Sequence, residues 1–217
     1  FLDCEKQNID ELYKQLNLYK LRSKVEILNL SNEFLVAVLS KEKFLSMDHS
    51  KDIQGFTIKF REDSIFLDPR SKELGARLII NLEKLHLSLK KLELKISNTE
   101  NYYNLSHNLG IPQIDTKNLQ NKVFGIECNF EELNGIDFKK GCYIGQENTS
   151  RIKLRNKLRR RILPVQKITG EIFENDIIKY KDNEVGKIMI NKPYSFALVK
   201  VVNPDLKEFN NVELSCG

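Results

Sequence analysis

One helix-periodic segment followed by strand-like runs with no strict strand–helix alternation constrains this chain more than any other feature. Residues 8–20 place Ile9, Leu12, Leu16 and Tyr19 at helical spacing, with Asn8 or Asp10 available as a cap. Residues 25–30 and 34–39, rich in branched and aromatic side chains and separated by Ser31-Asn32-Glu33, read as a strand pair. A second pair, 55–60 and 64–67, is split by Arg61-Glu62-Asp63, and 77–82 is one more strand. Strands that follow one another directly pair most simply as antiparallel neighbours, so the fold class is α+β with a largely antiparallel sheet.

The leucines of 82–94 mix helical with alternating spacing and leave the type of that segment open. Residues 99–109 read as a helix stopped by Gly110, and 115–137 as a packed, glycine-punctuated loop. In 151–161 nearly every second residue is basic, which fits either a half-buried strand with a cationic face or a short helix started by Gln146-Glu147. That run is an anion site, for carboxylates or RNA, or a basic edge that guards a strand from aggregation. No aromatic residue interleaves its arginines, which weighs against base stacking. Beyond Pro164 the runs 176–180, 184–190, 194–202 and 211–214 predict a small β-barrel, giving domains at 1–158 and 159–217.

The densest chemistry lies in Lys139-Lys140-Gly141-Cys142-Tyr143-Ile144-Gly145-Gln146-Glu147, where two glycines frame one thiol. Glycine permits tight corners, so Cys142 can stand exposed; the plainer alternative is a small hydrophobe packed in an ordinary loop. Adjacent Lys139 and Lys140 favour thiolate over thiol. The other cysteines, 4, 128 and 216, form no Cys-x-x-Cys pair, and the histidines at 49, 86 and 107 are remote in sequence, so no self-contained metal site is expected. His107 reads as a surface histidine. Sparse, unpaired cysteines fit a reducing compartment. The net charge of +5 favours an anionic ligand without specifying nucleic acid. No run approaches the roughly 20 apolar residues of a membrane helix, and the residues after Phe1 do not have the pattern of a signal peptide.

The nine residues around Cys142 resemble the signature of the YgfZ family, folate-binding relatives of the glycine-cleavage T-protein, which runs Lys-Gly-Cys-Tyr-x-Gly-Gln-Glu. Lys140, Gly141, Cys142, Tyr143, Gly145, Gln146 and Glu147 match it in full, and Arg151 follows at the family's spacing. Further matches occur in order: Tyr19-Lys20-Leu21-Arg22-Ser23-Lys24-Val25, Asp68-Pro69-Arg70, Leu74-Gly75-Ala76-Arg77 and Gly110-Ile111-Pro112. The chain departs from the family where Ser106 or His107 replaces an arginine and Gln113 a glutamate.

The resemblance implies a T-protein-like folate-binding domain closed by a C-terminal β-barrel, with tetrahydrofolate or a derivative in a cleft between domains. It implies that Glu127 holds the pterin ring, that Arg151 contributes to folate binding, and that Cys142 is the functional thiol. The implied function is a folate-binding accessory factor for assembly or repair of iron–sulfur clusters, including those of tRNA-modifying enzymes. Its partners are assembly carriers or client enzymes, with direct RNA binding the weakest possibility. The alternative is a folate-dependent aminomethyltransferase. A bacterial cytoplasmic location is expected, with the mitochondrial matrix as the alternative. Family chains carry an opening segment that has no counterpart here, so an N-terminal truncation is expected.

Overall fold

The computed structural model describes residues 1–60, 63–143, 145–154, 158–180, 183–201 and the backbone of 215–216. The chain forms two compact units, 1–102 and 103–217. The expected boundary at 158/159 falls inside the second of these.

In the first unit, α1 (Ile9–Tyr19) is followed by β1 (Phe34–Leu39), α2 (Lys41–Leu45), β2 (Thr57–Phe60), β3 (Asp63–Leu67), β4 (Ala76–Asn81) and α3 (Leu82–Lys91). The strands form one antiparallel sheet in the order β1-β4-β3-β2. Alternation along β4 buries Ala76, Leu78 and Ile80, and β3 adds Ile65 and Leu67 to the same core with Leu39, Phe44 and Leu92. The strand expected at 25–30 does not form: Val25 and Leu28 are 57% and 63% exposed. The partner of β1 is β4, in register from Phe34 opposite Asn81 to Leu39 opposite Ala76. Its buried residues offer β1 an apolar gain that an exposed 25–30 run does not.

The open segment after β4 is helical. Asn81 caps α3 by accepting from the Glu83 amide at 2.9 Å, and Leu85 and Leu92 then pack on the core at helical spacing.

The paired motifs at 68–70 and 74–77 form one joint between β3 and β4. The Asp68 carboxylate, 1% exposed, accepts from Arg70 Nη2 at 2.7 Å, Arg70 Nε at 3.0 Å, the Arg70 amide at 2.9 Å and Arg77 Nε at 2.9 Å. Burial opposes ionisation of Asp68, but the Arg70 hydrogen bonds and charge, joined by Arg77, outweigh it and hold the carboxyl below its ordinary value. Both guanidinium groups also donate to the Tyr102 hydroxyl, and Arg77 pairs with Asp3. Gly75 completes the joint at φ +84°, where a β-carbon would stand 2.1 Å from the Leu39 carbonyl oxygen.

Helix α4 (Glu100–Asn108) leads into the second unit, which continues through α5 (Gln146–Leu154), β5 (Arg160–Pro164), β6 (Ile177–Tyr180), β7 (Asn183–Ile190), β8 (Phe196–Lys200) and β9 (Ser215–Cys216). Its antiparallel sheet has the order β5-β8-β7-β6-β9, and the described residues pair neither outer strand with the other. The described part is therefore an open five-stranded sheet, not a closed barrel; the run expected at 211–214 lies outside the described residues. Leu119 and Cys128 from the long loop share a core with Ile162, Met189, Ile190, Phe196 and Leu198, and the Ile162 amide donates to the Glu127 carbonyl at 2.8 Å. That shared core explains why the loop belongs with the sheet.

His107 belongs to this interior and not to the surface. It is 8% exposed, donates through Nε2 to the Ser195 carbonyl at 2.8 Å and meets the Phe196 ring edge-on at 5.1 Å. Its neighbour Ser106 donates to the Ile111 carbonyl at 2.6 Å and thereby holds the chain reversal at Gly110, φ +74°. The positions where the resemblance expects an arginine thus serve packing here.

Candidate functional site

The signature residues form a loop that ends on α5. Its leading edge is an Asx turn in which Asp137 accepts from the Lys139 amide at 2.8 Å. Gly145 takes φ +88°, and its carbonyl accepts from the Thr149 amide at 3.3 Å and the Thr149 hydroxyl at 3.1 Å, which starts the helix. Gly145 therefore needs its glycine backbone freedom, while Gly141 has no positive φ and open space around it. Ile144 lies outside the described residues.

Cys142 is exposed at this corner. The other two described cysteines differ from it in kind. Cys128 is buried in the apolar core, and that burial, assisted by the Glu127 charge, pushes its thiol from 9.0 up to about 11. Cys4 is exposed, but desolvation and the charges of Asp3 and Glu5 raise its thiol. The side chain of Cys216 lies outside the described residues. Lys140 is exposed, and its Nζ sits 4.5 Å from the centre of the Tyr143 ring. Glu147 and Arg151 lie on α5, and both are exposed.

The basic run divides. Residues 151–154 belong to α5 and 160–161 open β5; 155–157 lie outside the described residues. Three of its cations are committed to acids of the preceding loop. Lys153 pairs with Glu131 and lies 5.6 Å from the Phe138 ring, Arg160 donates to Glu127 at 2.9 Å, and Arg161 pairs with Glu132 at 2.5 Å while donating to Asn129 at 2.8 Å. The expected cationic face is in large part a loop-to-strand lock.

Glu127 lies at the centre of that lock. It is 6% exposed; Oε1 accepts from Arg160, and Oε2 from the Phe124 amide at 2.9 Å. The sequence singles out this carboxylate but not its intramolecular partners, because Arg160 lies 33 residues away. Asn129 escapes sequence reasoning altogether: at φ +60° it donates to the Ile162 carbonyl at 3.0 Å and accepts from Arg161. Its position two residues after Glu127, in a glycine-punctuated loop, is the one signal that points to it.

Among the described residues, no three His, Cys, Asp or Glu side chains converge as a metal-binding group, and no helix is long and apolar enough to cross a membrane.

No protein-family model matches the chain. Curated relatives do. A protein of Dictyostelium discoideum named iron-sulfur cluster assembly factor IBA57 homolog, mitochondrial, is 34% identical over 87% of this chain and 43% of its own length. The Neurospora crassa protein of the same name is 32% identical over 68% of this chain and 30% of its own length. The Mus musculus iron-sulfur cluster assembly factor IBA57, mitochondrial, is 28% identical over 76% and 44%. The chain spans less than half the length of each of these three relatives. With an exposed Cys142 in a complete signature loop, and similarity running through most of both units, this chain is a homologue of the IBA57 iron–sulfur cluster assembly factors.

Proposed function

We propose that the protein takes part in iron–sulfur cluster assembly, with Cys142 as its working thiol, and is not a classical enzyme. The observation that carries this reading is the 34% identity to an assembly factor over 87% of the chain. Exposure of Cys142, against a buried Cys128 and a Cys4 held towards its thiol form, supports the choice of residue.

The cluster is cargo. One thiolate supplies one of the four cysteine ligands that such clusters usually take, so a carrier or client supplies the rest. Transfer through Cys142 is ligand exchange without redox change. The thiol releases its proton to solvent, its sulfur bonds to a cluster iron, and the carrier thiolate leaving that iron takes up a proton.

Tetrahydrofolate or a derivative enters the same reading as a bound ligand, with Glu127 and Arg151 as candidate contacts. Each Glu127 oxygen accepts one hydrogen bond from the protein and so retains a second lone pair. In this reading the two sheets correspond to the folate-binding α+β part and the β-barrel part of T-protein-like proteins. The names of the relatives favour the mitochondrial matrix over a bacterial cytoplasm. Clients include iron–sulfur enzymes that modify tRNA.

The test is full-length protein carrying Cys142→Ser in cells that lack the native gene, with iron–sulfur enzyme activities as readout. Loss of those activities at a normal level of folded protein is expected. Full activity of the variant overturns the role of Cys142, and failure of the wild-type protein to restore activity overturns the assembly function. Calorimetric titration of the same protein with tetrahydrofolate tests the ligand: heat with a saturable midpoint is expected, and none up to millimolar ligand removes folate.

A further inference from the structure

Cys142 sits in a loop that is held by its own contacts. Among the described residues, a β-carbon added to Gly141 or Gly145 would meet nothing within 4 Å, so at both glycines no described neighbour presses on the loop. Three internal contacts take that place. The Tyr143 amide donates to Gln146 Oε1 at 3.3 Å, and the Gln146 amide donates back to the Tyr143 carbonyl at 3.1 Å. This reciprocal pair, spaced three residues apart at a helix start, has the logic of a capping box with only its glutamine half. On the other side of the thiol, the Lys140 ammonium lies over the Tyr143 ring, so the two ends of the span 140–143 touch each other. The Tyr143 hydroxyl at the far end of that ring is buried and has no hydrogen-bond partner among the described residues. The ring therefore works as an anchor by packing, with its backbone fastened to Gln146 and its face to Lys140.

We infer that Gln146 is a positioning residue which, through Tyr143 and with Lys140, holds the Cys142 thiol outward in one orientation accessible to a protein-sized partner. This rests on the reading of Cys142 as the working thiol. The physical need is plain: ligand exchange with a cluster held by another protein requires sulfur to reach iron past the bulk of both chains. A thiol on a mobile loop meets small reagents equally well but presents itself to a bulky partner only part of the time.

The experiment compares two electrophiles at one pH, iodoacetamide and the same iodoacetamide group carried on a polyethylene glycol chain, reading alkylation at the Cys142 peptide. Both attack through the same thiolate, so the ratio of their rates cancels the thiolate fraction and reads access alone. Gln146→Met keeps the length of the side chain and removes its strong acceptor, whereas Gln146→Glu keeps an acceptor oxygen. The bulky-to-small ratio is expected to fall by about fivefold in Gln146→Met, the population change that one lost hydrogen bond brings. It stays at the wild-type value in Gln146→Glu, with amide exchange at Tyr143 accelerated only in the methionine variant and the melting temperature unchanged in both. An unchanged ratio in Gln146→Met overturns the inference, as does a ratio that falls equally in Gln146→Glu. If Gln146→Met lowers the melting temperature, Lys140→Met, which removes the contact with the Tyr143 ring, is read in its place: a fallen ratio supports the inference and an unchanged ratio overturns it. These results are independent of cluster-enzyme activity in cells, so the positioning role and the role of Cys142 itself fail separately.

Discussion

Arg160 donates through Nε to Glu127 Oε1 at 2.9 Å and so fastens the long loop to the first strand of the second sheet. Removing the carboxylate leaves the Phe124 amide and the Arg160 guanidinium without their acceptors. Glu127→Ala is expected to lower stability by about 2 kcal/mol, in line with hydrogen bonds to a charged group, and Glu127→Gln by less. Urea unfolding measures both, and tetrahydrofolate titration of Glu127→Gln separates the roles. Weakened affinity at near-normal stability assigns the carboxylate to the ligand, and lowered stability with unchanged affinity assigns it to the fold.

Gly75 cannot be replaced cheaply. A β-carbon would stand 2.1 Å from the Leu39 carbonyl oxygen, on a backbone at φ +84° and ψ −158°. That combination is a region open almost only to glycine. Gly75→Ala is expected to cost more than about 3 kcal/mol or to abolish soluble expression. A soluble variant with an unchanged urea midpoint contradicts the geometry of the joint.

Asp68 makes the first unit acid-sensitive. Its folded carboxyl lies below the ordinary value, so its contribution is present above the unfolded pKa and is lost as pH falls through the folded one. Asp68→Asn leaves Arg70 and Arg77 without their shared anion, and a loss of about 3 kcal/mol or more at neutral pH is expected. The gap between wild type and variant should close progressively in acid. Denaturant midpoints measured from neutral pH down into strong acid test it, and a gap that does not depend on pH refutes the assignment.

The three described thiols should separate by reactivity. At neutral pH Cys142 is expected to be alkylated first, Cys4 more slowly because its pKa is raised, and Cys128 only on unfolding. Peptide mass mapping over a time course ranks them, and early labelling of Cys128 in folded protein contradicts the structure.

Burial of Cys128 has a second consequence at high pH. Well below 9.0 the thiol is neutral in both states; above it the unfolded chain ionises first, so stability falls as pH rises from 9.0 towards about 11. Cys128→Ala should flatten that part of the stability profile, measured by urea midpoints across the same alkaline range.

Local patterns are legible in the sequence. The strand-like runs 64–67 and 77–82, the helical spacing in 9–19 and 99–109, and the short runs 176–180, 184–190 and 194–202 reappear as β3, β4, α1, α4, and β6 to β8. The complete signature around Cys142 carries the family resemblance in one dimension, because a glycine-framed thiol is recorded in adjacent residues.

Whatever depends on a distant partner was decided by the tertiary structure. Residues 25–30 have the composition of a strand, yet β1 pairs with β4 because β4 brings buried Ala76, Leu78 and Ile80 from far along the chain. The cations of 151–161 look like an open anion site in one dimension, while in three dimensions Lys153, Arg160 and Arg161 meet Glu131, Glu127 and Glu132. His107 reads as a surface residue until Ser195 supplies its acceptor 88 positions later. Composition and short spacing determine which backbone conformations a segment prefers. Which charges are neutralised and which edges are filled depends on contacts between segments far apart in the chain, and those are settled only when the cores close.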